Sequence, residues 1–138
     1  MITESAEATE RAGAKLAAGL APGDVVLVSG ELGAGKTTFV RGALHALGVR
    51  GPVTSPTFVV GVLHEGDGGR IAHLDLYRLG GLEGEDPGLL DPYFGPGVIT
   101  FVEWPEIAES EALLAGRATT RRVRLEHAGG DRRRLEVA

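Results

Sequence analysis

Apolar residues recur along this chain with two periods, one suited to helices and one to strands. At the start, Thr3 or Ser5 can cap a helix whose Ala-rich run reaches Ala18 or Leu20, where Gly19 and the Pro22-Gly23 pair stop it. Residues 24–29 (DVVLVS) are a short apolar run bounded by turn residues, the pattern of a buried parallel strand. Across residues 36–47, Phe39, Val40, Ala43, Leu44 and Leu47 share one helical face, and Gly48 ends it. Residues 58–64 (FVVGVLH) and 70–77 (RIAHLDLY) read as strands joined by a turn at 65–69 (EGDGG). Residues 80–97 are rich in Gly, Pro, Asp and Glu and predict an irregular acidic segment with one helical turn around Leu89 and Leu90. Residues 97–103 (GVITFVE) form another buried strand. Val123 and Leu125, then Leu135 and Val137, alternate with charged residues around Gly129-Gly130, as in a closing hairpin with one wet face.

Composition narrows this picture. At 138 residues, without an internal repeat or an evident linker, a single domain with one core is expected. No apolar run approaches the ~20 residues of a membrane helix, and no basic-then-apolar leader is visible at the amino end, so the cytoplasm is the expected location. The absence of cysteine excludes disulfides and thiolate chemistry. There is no Asn or Gln, and Arg outnumbers Lys 12 to 2, a bias that suits either heat adaptation or codon usage. Charge is uneven. Residues 1–116 hold 7 basic and 16 acidic residues, a balance of −9, whereas 117–138 hold 7 and 3, a balance of +4. Direct nucleic-acid binding normally calls for a basic surface, which only the tail offers, and its arginines read first as the solvated face of the hairpin.

The run Gly30-Glu31-Leu32-Gly33-Ala34-Gly35-Lys36-Thr37 has the spacing of a phosphate-binding loop, set between a strand and a helix as that motif requires. Glycines let successive amides of Gly33, Ala34, Gly35, Lys36 and Thr37 point into one concavity. Lys36 is expected to reach the β and γ phosphates of a nucleotide and Thr37 to ligate Mg2+, with Thr38 adding a contact to the α phosphate. A chance match is always possible in a chain with 22 glycines; the strand before and helix after argue against it. The fold expected is α/β, a P-loop NTPase-like mainly parallel sheet flanked by helices, with a C-terminal antiparallel hairpin. A further acidic group is needed near the metal, and Asp75 and Glu103, each at a strand end, are the candidates. Guanine recognition through Asn-Lys-x-Asp is excluded for want of any Asn, which leaves ATP as the expected nucleotide.

GELGAGKTTFVRGALHALG, VTSPTFVV, HLDLYRL and FVEWPE succeed one another at compact spacing. Together they resemble the TsaE family, bacterial ATPases required for threonylcarbamoyladenosine synthesis on tRNA. The likeness covers roughly residues 24–106. It implies that Thr37 and Glu103 bind magnesium, that Lys36 and the loop amides bind ATP, and that Asp75 lies by the γ phosphate or the metal's waters. It further implies a switch-like loop at Ser55 to Phe58, in which Thr57 senses the γ phosphate. Trp104 corresponds to a tryptophan near the active site, with a plain core anchor as the alternative. An adenine pocket is implied around Ala6 and Thr9 of the first helix, with Arg132 of the last hairpin. The implied partners are TsaD and TsaB, with tRNA reached through the complex. After DLYRL the family usually has a glutamate-rich helical stretch, whereas this chain has LGGLEGEDPGLLDPYFGPG. Two other readings use the same loop: a small-molecule ATP kinase, for which the chain has little room to hold both a lid and a substrate subdomain, and an ATP-dependent scaffold with incidental hydrolysis.

Overall fold

The computed structural model describes residues 1–31, 33–53, 61–76, 90–104 and 121–138. A two-residue strand, β1 (Ile2–Thr3), precedes helix α1 (Ala6–Ala17). Ser5 is the cap: its side chain accepts from the Ala8 amide at 3.1 Å, satisfying one donor that the first helical turn leaves open. β2 (Val25–Ser29) runs through the glycine loop into α2 (Lys36–Ala46). β3 (Gly61–Gly66) and β4 (Gly69–Asp75) form a hairpin, and a short 3-10 turn at Asp91–Tyr93 precedes β5 (Val98–Glu103). β6 (Arg121–His127) and β7 (Arg133–Val137) are the C-terminal hairpin.

The seven strands make one sheet in the order β1-β7-β6-β2-β5-β4-β3. The central strands β6, β2, β5 and β4 are parallel, and the pairings toward both edges are antiparallel. The expected parallel core with a C-terminal antiparallel hairpin is therefore the fold observed. Strands β2 and β5 are apolar at nearly every position because both their faces are covered. One face, with Val26, Val28, Ile71, Ile99, Phe101, Val123, Leu125 and Leu135, packs against Ala17 of α1 and Phe39, Val40, Ala43 and Leu44 of α2. Burying a side chain such as Phe39 contributes about 1.5–3 kcal/mol. On the other face Val25, Leu27, Leu74, Leu76 and Val102 pack with Leu90, Tyr93, Phe94 and Trp104. Among the described residues no helix is long and apolar enough to cross a membrane.

The two helices touch through glycine. A Cβ on Gly42 would lie 2.0 Å from the Glu10 carbonyl oxygen, and one on Gly13 would lie 2.0 Å from that of Phe39. Backbone meets backbone at this crossing, so nothing flexible can move aside. Beside it Arg41 reaches Glu10 at 3.3 Å and donates to the Val53 carbonyl at 3.0 Å.

This packing makes two claims on stability that can be measured. Gly42→Ala gains ~1 kcal/mol of helix propensity, yet the forced separation of α1 and α2 costs more, so a net loss of about 1–3 kcal/mol is expected in urea unfolding. An unchanged or higher midpoint would show that the crossing can open freely. The second concerns His64, which shares a face of the β3–β4 hairpin with His73. Burial, and secondarily the charge of His73, hold the His64 imidazole below its ordinary value of 6.5. The unfolded chain then binds the proton more readily than the folded one, so stability declines as pH falls through about 6.5 and the loss is complete below the folded value. The drop in Tm between pH 8 and pH 5 is expected to be smaller in His64→Gln than in the unmodified protein.

Candidate functional site

The loop between β2 and α2 is built on left-handed glycines. Gly33 and Gly35 have φ of 78° and 95°, and Gly35 is the residue from which α2 begins. Gly30, at φ 146°, packs so tightly that a Cβ would sit 2.3 Å from the Leu125 carbonyl oxygen. The first amides of α2 consequently face an open concavity, where the helix's positive end favours an anion. Lys36 is only 5% exposed. Its Nζ donates to the carbonyls of Gly30 at 2.6 Å and Glu31 at 2.8 Å, and lies 3.8 Å from the centre of the Trp104 ring. The ammonium is thus kept inside the loop by carbonyl dipoles and an aromatic face.

Two strand ends supply the acid groups. β4 and β5 are parallel and in register, with Asp75 opposite Glu103, while Val28 of β2 pairs with Glu103 on the other side. This brings Glu103 under the first turn of α2, where Thr37 Oγ1 lies 3.0 Å and 3.2 Å from its two carboxylate oxygens. Glu103 is 2% exposed and also accepts from the Nε2 of His73, which is fully buried. Trp104, next in sequence, has φ 61° and is the one non-glycine with positive φ among the described residues. An aromatic residue there costs roughly 1–3 kcal/mol of backbone strain. Its amide is anchored to the Val28 carbonyl at 3.2 Å, so β2 holds it in place.

A cavity of about 260 Å³ is lined by Gly33, Gly35, Lys36, Thr37, Thr38, Asp75, Glu103, Trp104 and Arg133. The sequence-predicted Lys36, Thr37, Thr38, Asp75, Glu103 and Trp104 therefore converge on one space. Ala34 is buried beneath the loop and does not line it. Trp104 sits at the cavity wall while also packing against the core of the second face, so its two readings are compatible. Ala6 and Thr9 border a smaller hollow of about 30 Å³ together with Gly35, Thr38, Asp131 and Arg133. Thr9 is buried and its hydroxyl lies 2.7 Å from that of Thr3. Thr57 and the rest of its loop lie outside the described residues.

Arg132 is exposed, its Nε pairs with Glu4 at 3.0 Å, and it lines neither hollow. The arginine that lines them is Arg133, which donates to the carbonyls of Gly33 at 3.2 Å, Gly130 at 2.7 Å and Arg132 at 2.8 Å. Strand alternation carries this signal: Arg133 has the parity of Leu135, which is buried against the helices, and Arg132 has the opposite one. Asp131 and His73 are the other residues at these sites that sequence reasoning misses. His73 shares the parity of Asp75 two positions on.

Chemically, the site offers amides and a lysine for an anion, and a hydroxyl with a carboxylate for a hard cation. Among the described residues no group of three or more His, Cys, Asp or Glu can hold a metal. That donor set suits an ion which keeps most of its ligands from water and a bound phosphate, as magnesium does.

The family described as "Threonylcarbamoyl adenosine biosynthesis protein TsaE" has a sequence model that matches residues 3–135. A Streptomyces coelicolor protein called tRNA threonylcarbamoyladenosine biosynthesis protein TsaE is 48% identical over 122 residues, covering 86% of this chain and 79% of that one. The protein of the same name from Treponema pallidum is 39% identical over 113 residues, covering 80% and 81%. The crystal structure of Bacillus subtilis YdiB matches with a TM-score of 0.70 and 32% identity, over 98% of this chain and 80% of that one.

Proposed function

Since the chain belongs to the TsaE family of tRNA threonylcarbamoyladenosine biosynthesis, we propose that it is a cytoplasmic, single-domain ATPase that binds ATP with magnesium and serves that modification together with TsaD and TsaB. The observation that carries this reading is the Thr37–Glu103 contact beside a lysine held inside a glycine loop. In this reading ATP draws Lys36 from the Gly30 and Glu31 carbonyls onto its β and γ phosphates. The amides of Gly33 to Thr37 hold the rest of the phosphate chain, with Thr38 at its α end. Thr37 and Glu103 hold magnesium, which neutralises phosphate charge when bound. Asp75 orients a water at the γ phosphate or the metal, and Thr57 senses that phosphate. Adenine lies toward Ala6 and Thr9, with Arg133 in the place expected of Arg132.

The chain supplies no Gln to position water, and Arg133 is committed to three carbonyls. An activating group from outside is consistent with that shortage. Supplying one in trans raises turnover by ~10³ to 10⁵ in GTPases. The acidic balance of −9 over residues 1–116 favours an encounter with tRNA through the partners.

Lys36→Ala is expected to weaken ATP binding tenfold or more, on the order of the 1.5–3 kcal/mol of a charge-assisted contact, with the fold intact. Calorimetry with unchanged affinity would remove the loop from the mechanism. Steady-state hydrolysis is expected to be slow for the chain alone and to rise when TsaD and TsaB are added together, with tRNA added last. Glu103→Ala should lose more in turnover than in nucleotide binding. Rapid turnover by the lone chain, indifferent to partners, would favour a kinase or free ATPase.

A further inference from the structure

Glu103 is held from within the sheet by a histidine that has no part in the proposed ATP site. His73 is wholly buried and Glu103 is 2% exposed. The His73 Nε2 lies 2.5 Å from Glu103 Oε2, while the Thr37 hydroxyl approaches both carboxylate oxygens. An ionised carboxylate only accepts, so Nε2 carries the hydrogen and donates it. Nδ1 is buried and meets no partner among the described residues. The contact with Glu103 is therefore the ring's one polar anchor there.

His73 pairs with Phe101 across β4 and β5, two residue pairs deeper than Asp75 with Glu103, and on the face where Ile71 and Phe101 pack against the helices. An aliphatic side chain would fill such a place without leaving a buried nitrogen unmatched. Buried polar atoms without partners are rare and require a reason.

We propose that His73 is the positioning residue for Glu103: its Nε2–H fixes the carboxylate toward Thr37 and so sets the affinity of the site for a divalent cation bound with the nucleotide. This rests on the proposed binding of nucleotide and magnesium. Loss of such an outer partner typically lowers metal affinity about 10- to 100-fold.

The test is calorimetric ATP binding in EDTA and across a magnesium titration, with Tm measured alongside, for the unmodified protein, His73→Leu, His73→Gln, Glu103→Ala and Lys36→Ala. His73→Leu is expected to bind ATP normally in EDTA but to need about tenfold more magnesium or above for half its enhancement. His73→Gln, which keeps an amide donor, should recover part of it. The proposal is overturned if folded His73→Leu needs no more magnesium than the unmodified protein while Glu103→Ala does, or if Gln and Leu lose equally. ATP affinity in EDTA that survives Lys36→Ala would instead remove the glycine loop from nucleotide binding, and an unmodified protein that binds no ATP would sink the nucleotide reading itself. Should His73→Leu not fold, nitrogen NMR of the imidazole in the unmodified protein decides: Mg2+ with ATP must move the His73 Nε2 signal beyond the effect of ATP alone, and a signal indifferent to magnesium overturns the proposal.

Discussion

The position of β5 between β2 and β4, parallel to both, is the constraint on which the site depends. The chain reaches β4 before β5, so the later strand enters the gap beside the glycine loop, and the carboxyl ends of all three strands finish at the same edge. Ligand crevices in open α/β sheets form at such edges. The register is equally strict. A slip of one residue would turn Glu103 to the opposite face and part it from both Thr37 and His73. The apolar residues of β5 oppose that slip, because Ile99 and Phe101 belong to the core under the helices and Val102 to the core on the other side.

Trp104 bears the cost of ending the strand at Glu103. Its positive φ turns the chain immediately after the carboxylate, and its ring lies against the Lys36 ammonium. Backbone strain of this kind persists only where neighbours over-determine it. Here the Val28 carbonyl and the apolar cluster containing Leu27 and Val102 do so.

Much of this is legible in the sequence for identifiable reasons. The loop and α2 can be read because glycine spacing and a 3.6-residue period are both local. Asp75 and Glu103 can be read because each ends an apolar run. The parallel pairing of β6 with β2 cannot, since nothing in an alternating hairpin names its neighbour. β1 escapes notice because two residues cannot display a period. Arg132 and Arg133 are hard to separate among three identical side chains, although the parity of Leu135 does separate them. His73 is silent because a polar residue inside an apolar strand becomes meaningful only when its neighbour across the sheet is known, and Glu103 lies 30 residues away.

The hydrogen bonds of Lys36 make the loop its own counter-charge. Two carbonyl oxygens and a ring already stand where an anion's oxygens would bind. A small anion meeting few groups has to outcompete that internal solvation and gains little by doing so. A polyphosphate, touching amides, lysine and hydroxyl together, exchanges the same contacts for many more. In the proposed ATP site the self-occupied lysine would act as a threshold, setting how many simultaneous contacts a visitor must make before the loop yields its charge.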